Sequence, residues 1–245
     1  MLAKASTTVL SANTNTVIST LKGLADPEFA RGSTRFNKTG PGEYAEHDRF
    51  LGIRVPLIRE QVEHFDNLLD LSDQSALLQN DWHEIRLFAL LSMVNSFRQS
   101  TTTAQGRITK RYLKLKKHIN GWDLVDSSAP QIVGGWYVDK DRSLVDDLLD
   151  SKSLWDRRIA MLSTFHYIRQ NDFDDTYKYA QKLLTDHEDL MHKATGWMLR
   201  EAGKRDQKRL LKFLDLHSTY MPRTMLRYSI EKLTPAMRKR YLARR

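Results

Sequence analysis

The strongest constraint on the fold is the spacing of apolar residues. From residue 56 to about residue 216 they recur, in most segments, at intervals of three and four, the period of one face of an α-helix. In 56–71, Leu57, Ile58, Val62, Phe65, Leu68 and Leu69 mark such a face, with Arg59, Glu60, Glu63 and Asp66 between them. The segments 85–97, 108–119, 144–149, 157–168, 176–184, 190–202 and 209–216 read the same way. Nowhere does a convincing run of alternating residues predict a strand. Helix breakers are scarce, six prolines and eleven glycines in 245 residues, so their clusters mark the connections. Gly40-Pro41-Gly42 reads as a tight turn, because Pro presets the first bend and Gly accepts positive φ. Val55-Pro56 reads as a loop handing over to a helix at Leu57, with Pro at an early helical position. A third cluster spans 130–135. The segment 39–54 is open to either a loop or a short hairpin.

A faint repeat organises these helices. In Arg86-Leu-Phe-Ala89, Arg157-Arg-Ile-Ala160 and Lys193-Ala-Thr-Gly196, a basic residue precedes a small one by three positions, and apolar residues follow. A small residue there lets a neighbouring helix approach, and the apolar face builds a shared core. This is the logic of stacked helical pairs. The expected fold is therefore all-α, an α-solenoid of HEAT-like antiparallel helical pairs with a concave basic groove. It is read as one repeat domain over residues 1–245, loose over about 1–15.

The chain carries a formal charge of +9, unevenly distributed. Between Gln99 and Gly121 lie Arg107, Lys110, Arg111, Lys114, Lys116 and Lys117 with no acidic residue, and the stretch from Glu201 to Arg245 is again rich in Lys and Arg. The stretches 139–150 and 172–189 are acidic. One basic and one acidic set of elements is the pattern expected of a protein that faces phosphates on one surface. There are no cysteines, which excludes disulfides, thiol catalysis and Cys-based metal sites. No apolar run reaches the roughly 18–20 residues of a membrane span, and the Ser/Thr-rich N-terminus lacks a signal-peptide core. The chain is read as cytoplasmic and monomeric, with no membrane partner.

Common catalytic motifs are missing. No phosphate-binding glycine loop occurs, His187-Glu188 and His192 are spaced one residue too long for a zinc helix, and no nucleophile elbow is present. No metal or cofactor is expected. The remaining chemistry-bearing residues are aromatics beside carboxylates and bases. In Asn120-Gly-Trp122-Asp-Leu-Val-Asp126, a helix starting near Trp122 puts Trp122 and Asp126 one turn apart on the same face. Trp155-Asp-Arg-Arg158 opens another helix, and Trp197 lies between Lys193 and Arg200. Taken singly, each Trp also fits a packing position and Asp126 a surface or capping carboxylate.

In order, Phe50-Leu-Gly-Ile53, Trp122-Asp-Leu-Val-Asp126, Trp155-Asp-Arg-Arg158-Ile-Ala and Lys193-Ala-Thr-Gly-Trp197-Met-Leu-Arg-Glu201 resemble the AlkD-like DNA alkylation repair family, from about residue 31 to near the C-terminus. The resemblance implies a HEAT-like scaffold that wraps duplex DNA and hydrolyses the N-glycosidic bond of cationic N3- or N7-alkylated purines, without a deep base pocket. It implies a catalytic aspartate at Asp126, flanking catalytic aromatics at Trp122 and Trp197, and a groove arginine at Arg158. Lys193, Arg200, Lys110, Arg111 and Lys114 join it as DNA-binding candidates. The family's N-terminal aromatic falls nearest Phe36, which has no phenolic hydroxyl; Tyr44 is the alternative.

Three readings follow. The first is a monofunctional alkylpurine DNA glycosylase acting on alkylated double-stranded DNA. The second is a non-catalytic binder of damaged or branched DNA on the same scaffold. The third is a helical scaffold for another protein, its charge incidental.

Overall fold

The computed structural model describes residues 11–244, and these form an all-α helical repeat, as the periodicity predicts. Among them the one β-type contact is an isolated parallel bridge between Arg49 and Trp82. The chain divides into two compact units, the first ending at Ser128 and the second beginning at Ala129.

In the first unit the helices are α1 (Ala12–Gly23), α2 (Pro27–Phe36), α3 (Val55–His64), α4 (Leu71–Leu78), α5 (His83–Gln99), α6 (Thr102–Lys114) and the short α7 (Trp122–Asp126). Helix α5 is buried on nearly every side, and α3, α4, α6 and α7 pack against it. Of the segment 1–15 read as loose, residues 1–10 lie outside the described residues. From Ala12 onward it is helical instead. Ser11 caps α1 by accepting the Thr14 amide at 3.1 Å, and Val17 and Leu21, one turn apart, are fully buried. A Ser/Thr/Asn-rich composition hides that pair.

The apolar spacing of 56–71 runs across a break. Helix α3 stops at His64, Asn67 turns the chain at φ 65°, and Asp70 starts α4 by accepting the amides of Ser72 and Asp73. The Asp73 side chain accepts the Asp70 amide in return, a reciprocal cap. Segment 39–54 is a loop of turns, not a hairpin. Glu43 N donates to the Gly40 carbonyl at 3.0 Å and Gly42 has φ 76°, so Pro41 and Gly42 occupy the middle of a tight turn as expected.

In the second unit the chain starts with a wide helical turn over Pro130–Gly134, where the Pro/Gly cluster continues a helix instead of breaking it. It runs directly into α8 (Gly135–Tyr137). Then come α9 (Ser143–Leu149), α10 (Leu154–Arg169), α11 (Asp174–Lys182), α12 (Asp189–Gly203), α13 (Gln207–His217), α14 (Arg223–Ser229) and α15 (Pro235–Leu242). Helix α10 is packed by α9, α11 and α12, and α12 in turn by α13 and α14. The small residue of the third repeat explains the last packing. A Cβ on Gly196 would lie 2.5 Å from the Met225 carbonyl oxygen and 2.6 Å from the Tyr228 Cβ.

The repeated basic residue has a matching job in α5 and α10. Arg86 Nη1 donates to the carbonyls of Asn80 and Asp81, six and five residues earlier. Arg157 Nη1 donates to those of Ser151 and Lys152, at the same offsets. Each guanidinium also holds an aspartate, Asp48 for Arg86 and Asp186 for Arg157. The arginine thus ties down the turn that enters its helix, satisfying two carbonyls of that turn.

Candidate active site

Helix α7 forms with Gly121 as its N-cap and no side-chain cap. Leu124 and Val125 are fully buried, while Trp122 and Asp126, one turn apart, lie half-exposed on the other side. A five-residue helix has little intrinsic stability, so α7 depends on what its buried face and its first turn touch. Ser128 follows it, donating to the Leu124 carbonyl at 2.6 Å and lying 3.0 Å from the Tyr112 hydroxyl. Burial pushes that phenol well above its usual range, the Ser128 hydrogen bond opposes this, and the nearby negative charge of Asp126 adds to it.

Phe36, at the C-terminal end of α2, meets Trp122 edge-on with ring centroids 6.1 Å apart and is itself 70% exposed. Phe36 and Trp122, both singled out from sequence, are therefore neighbours. Tyr44 is half-buried in the 39–54 loop.

The basic run is a helix face. Arg107, Lys110, Arg111 and Lys114 fall at i, i+3, i+4 and i+7 of α6, all exposed, while Ile108, Thr109 and Tyr112 point inward. Lys117 continues the charge one turn later, and among the described residues none of these five cations is held in an ion pair.

Behind α7 lies a network that sequence reasoning missed. The His83 imidazole, 4% exposed, has Nδ1 2.7 Å from Asp48 Oδ2 and Nε2 2.7 Å from Asp123 Oδ2. Burial alone would lower its pKa, but hydrogen bonds and charge from Asp123 and Asp48 outweigh it and raise the value to about 9. Burial raises the Asp48 carboxyl, and His83 with Arg86 more than reverses this, holding it below the usual range. Next in the chain, buried Glu84 accepts the amides of Leu51, Gly52 and Ile53 at 2.9, 2.7 and 3.3 Å. Gly52 has φ 83°, and a Cβ there would lie 2.1 Å from the Asp26 carbonyl oxygen. These contacts account physically for the Phe50-Leu-Gly-Ile53 motif. Asp123 was legible as part of the Trp-Asp motif, but nothing in the sequence pairs it with His83, forty residues away.

The remaining sequence-selected residues belong to the second unit. On α12, Trp197 Nε1 donates to Glu201 Oε1 at 3.2 Å, and its ring lies 5.8 Å from that of Phe165. Burial would raise the Glu201 carboxyl, but Lys204 and Arg200 dominate and lower it. Arg200 pairs with Glu201 at 3.1 Å and also with Glu231; Lys193 pairs with Asp189 at 2.8 Å. These cations are thus already engaged by acidic neighbours. Arg158 is 4% exposed, and its Nη1 donates to the Leu190 carbonyl at 2.6 Å. It sits inside the α10–α12 layer, where the sequence reading has it at a phosphate. Its neighbour Arg157, unremarked for function, is the one that binds the helix-entry turn.

The site combines a half-exposed carboxylate, an indole and an unpaired cationic face on helical repeats. The family described as DNA alkylation repair enzyme matches residues 17–233, and the chain belongs to it. Among solved structures, a predicted DNA alkylation repair enzyme from Enterococcus faecalis is similar, with a TM-score of 0.63 at 15% identity. The match covers 86% of this chain and 97% of that one, and at this identity it speaks for the fold alone. No curated protein matches. Among the described residues no helix is long and apolar enough to cross a membrane.

Proposed function

We propose that the protein is a monofunctional DNA glycosylase that releases cationic N3- or N7-alkylated purines from duplex DNA, with Asp126 as its catalytic carboxylate. The observation that carries this reading is the placement of Asp126 on α7: half-exposed, one turn from the Trp122 indole, in a unit whose α6 presents an unpaired cationic face.

An alkylated purine already bears positive charge, so the N-glycosidic bond breaks with its electron pair passing to the base, which leaves neutral. Oxocarbenium character develops at the deoxyribose C1′. A carboxylate there stabilises that charge and takes a proton from the water that adds to C1′, leaving an abasic site. The Trp122 face attracts the cationic base by roughly 0.5–2 kcal/mol. Trp197, in the second unit, is the second indole that the family resemblance implies. Lys193 and Arg200 serve it by exchanging their carboxylate partners for phosphate, and Arg107, Lys110, Arg111, Lys114 and Lys117 supply long-range attraction to the backbone.

The test is single-turnover release of free base from a duplex carrying one 7-methylguanine or one 3-methyladenine, for wild type and Asp126→Asn. Release well above the spontaneous rate, lost in the variant with duplex affinity retained, is the expected result. Duplex binding without release of either base by wild type overturns the reading in favour of a non-catalytic DNA binder.

A further inference from the structure

We infer that His83 is a positioning residue for the Trp122–Asp126 helix, holding its first turn through Asp123 while anchoring itself to Asp48. The inference rests on the reading of α7 given above, and three observations carry it.

The first is geometry. His83 spends both ring nitrogens on carboxylates from different segments, Asp48 in the loop after α2 and Asp123 in the first turn of α7, each at 2.7 Å. Its own amide donates to the Arg49 carbonyl at 2.8 Å and its ring stacks on Phe50 at 4.7 Å, so the imidazole cannot swing away without breaking the loop as well. Arg86, one turn further along α5, grips the other oxygen of Asp48 at 2.7 Å and reaches Asn120, two residues before Trp122. The contact is therefore a chain from loop to α5 to α7.

The second is that, among the described residues, no side chain caps the start of α7. Its N-cap is Gly121, with no side-chain cap, and Asp123 is adjacent to Trp122 in the chain. Gly121 is also closely approached by both partners. A Cβ there would sit 3.0 Å from both Asp123 Oδ1 and His83 Cε1.

The third is the charge around the ring. The groups facing His83 are Asp48 and Asp123; Glu84 beside it on α5 is turned to the 51–53 amides, and Arg86 is turned to Asp48. Lys117 and His118 line the same cavity as Arg86 and Asp48, of about 270 Å³. The two carboxylates favour the imidazolium, in which both ring nitrogens donate, and this makes both hydrogen bonds charge-assisted.

Asp123→Asn is the sparing test. The amide keeps one oxygen for His83 Nε2–H, and its NH₂ falls where Asp123 Oδ1 now has no partner. The variant removes the charge assistance and little else. Alongside it, His83→Gln removes the bridge. The expected result for both is a fall of about 10- to 100-fold in the single-turnover release rate at saturating duplex, because a displacement of about 1 Å is enough for such a loss. Duplex affinity is expected to stay within about twofold, since neither variant alters the cationic face of α6. A residue that merely supports folding would lower the melting temperature and the bound fraction without that split. Release within about twofold of wild type in both variants, or a loss that only tracks affinity, overturns the inference.

Amide hydrogen exchange at Val125 and Ser127, whose N–H groups bond to Gly121 and Asp123 carbonyls, separates this from the glycosylase reading. If wild type releases no base, exchange still decides. Acceleration of about tenfold or more at these two amides in Asp123→Asn, with α5 unchanged, supports the positioning role, and unchanged exchange refutes it.

Discussion

The Phe36 ring meets Trp122 edge-on, 6.1 Å between centroids at an interplanar angle of 75°, while remaining 70% exposed. An aromatic so placed contributes little to the core; α2 as a whole buries no residue. Phe36→Ala is therefore expected to leave the melting temperature nearly unchanged and to weaken binding to lesion-bearing duplex. Base–aromatic stacking of about 1–3 kcal/mol sets the scale, a loss of roughly 10- to 100-fold. Equal affinity of the variant and wild type, in a titration at fixed salt, would remove Phe36 from the interface.

The cationic face of α6 makes a salt-dependence prediction. Lys110→Ala, Arg111→Ala and Lys114→Ala together remove three exposed cations that have no carboxylate partner among the described residues. Each phosphate contact releases counterions and contributes about −0.9 to the slope of log affinity against log salt. The triple variant should bind all duplexes more weakly and show a slope shallower by about two to three units. An unchanged slope would place the DNA elsewhere on the molecule. The paired Lys193 should change the slope less, because its Asp189 partner must be displaced first.

Gly52→Ala tests the loop anchor. The residue has φ 83°, and the new Cβ would meet backbone atoms of Asp26 and Ala30 at 2.1 and 2.6 Å, none of them the end of a flexible side chain. Unfavourable φ and a backbone clash together are expected to cost on the order of 3 kcal/mol in denaturant unfolding. A cost below about 0.5 kcal/mol, the level of an ordinary surface change, would contradict the described loop.

The His83 bridge predicts a pH dependence of stability with a definite sign. Its folded pKa, about 9, lies above the ordinary value of 6.5. Its contribution is thus fully present below pH 6.5, where the unfolded chain is protonated too, and is lost as pH rises through about 9. At about 1.4 kcal/mol per pKa unit the scale is on the order of 3 kcal/mol. The stability gap between wild type and His83→Gln should narrow as pH is raised from about 6 to about 10 in chemical denaturation. A gap that stays constant over that range would mean the bridge does not depend on the imidazolium. Asp48, held below its usual range, acts at the other end, and its contribution is lost as pH falls through its folded pKa, below 3.8.

Helix-forming segments were legible where periodicity was strong and uninterrupted. The expectation for 85–97 lies inside α5, and that for 157–168 inside α10. It failed at α4, because the apolar spacing of 56–71 runs on past Asn67 and Asp70, where backbone conformation and capping break the helix. Helices α14 and α15 give no such signal, because each is short and interrupted by basic residues, so that few apolar positions show the period.

The same division holds at the site. Local sequence determined that Trp122 and Asp126 share one face, since their spacing is one helical turn, and that residues 107–117 carry a basic stripe, since their spacing is helical too. What only the tertiary structure decided is which charges are spent. Lys110 and Arg158 look alike in the sequence, yet one is exposed and unpaired and the other is buried on the Leu190 carbonyl. His83 reads as one scattered histidine among eight until folding brings carboxylates from 35 residues before it and 40 after it onto its two nitrogens. Helical periodicity reports only neighbours within a turn or two, whereas the partners of a buried polar group are set by packing between elements distant in the chain.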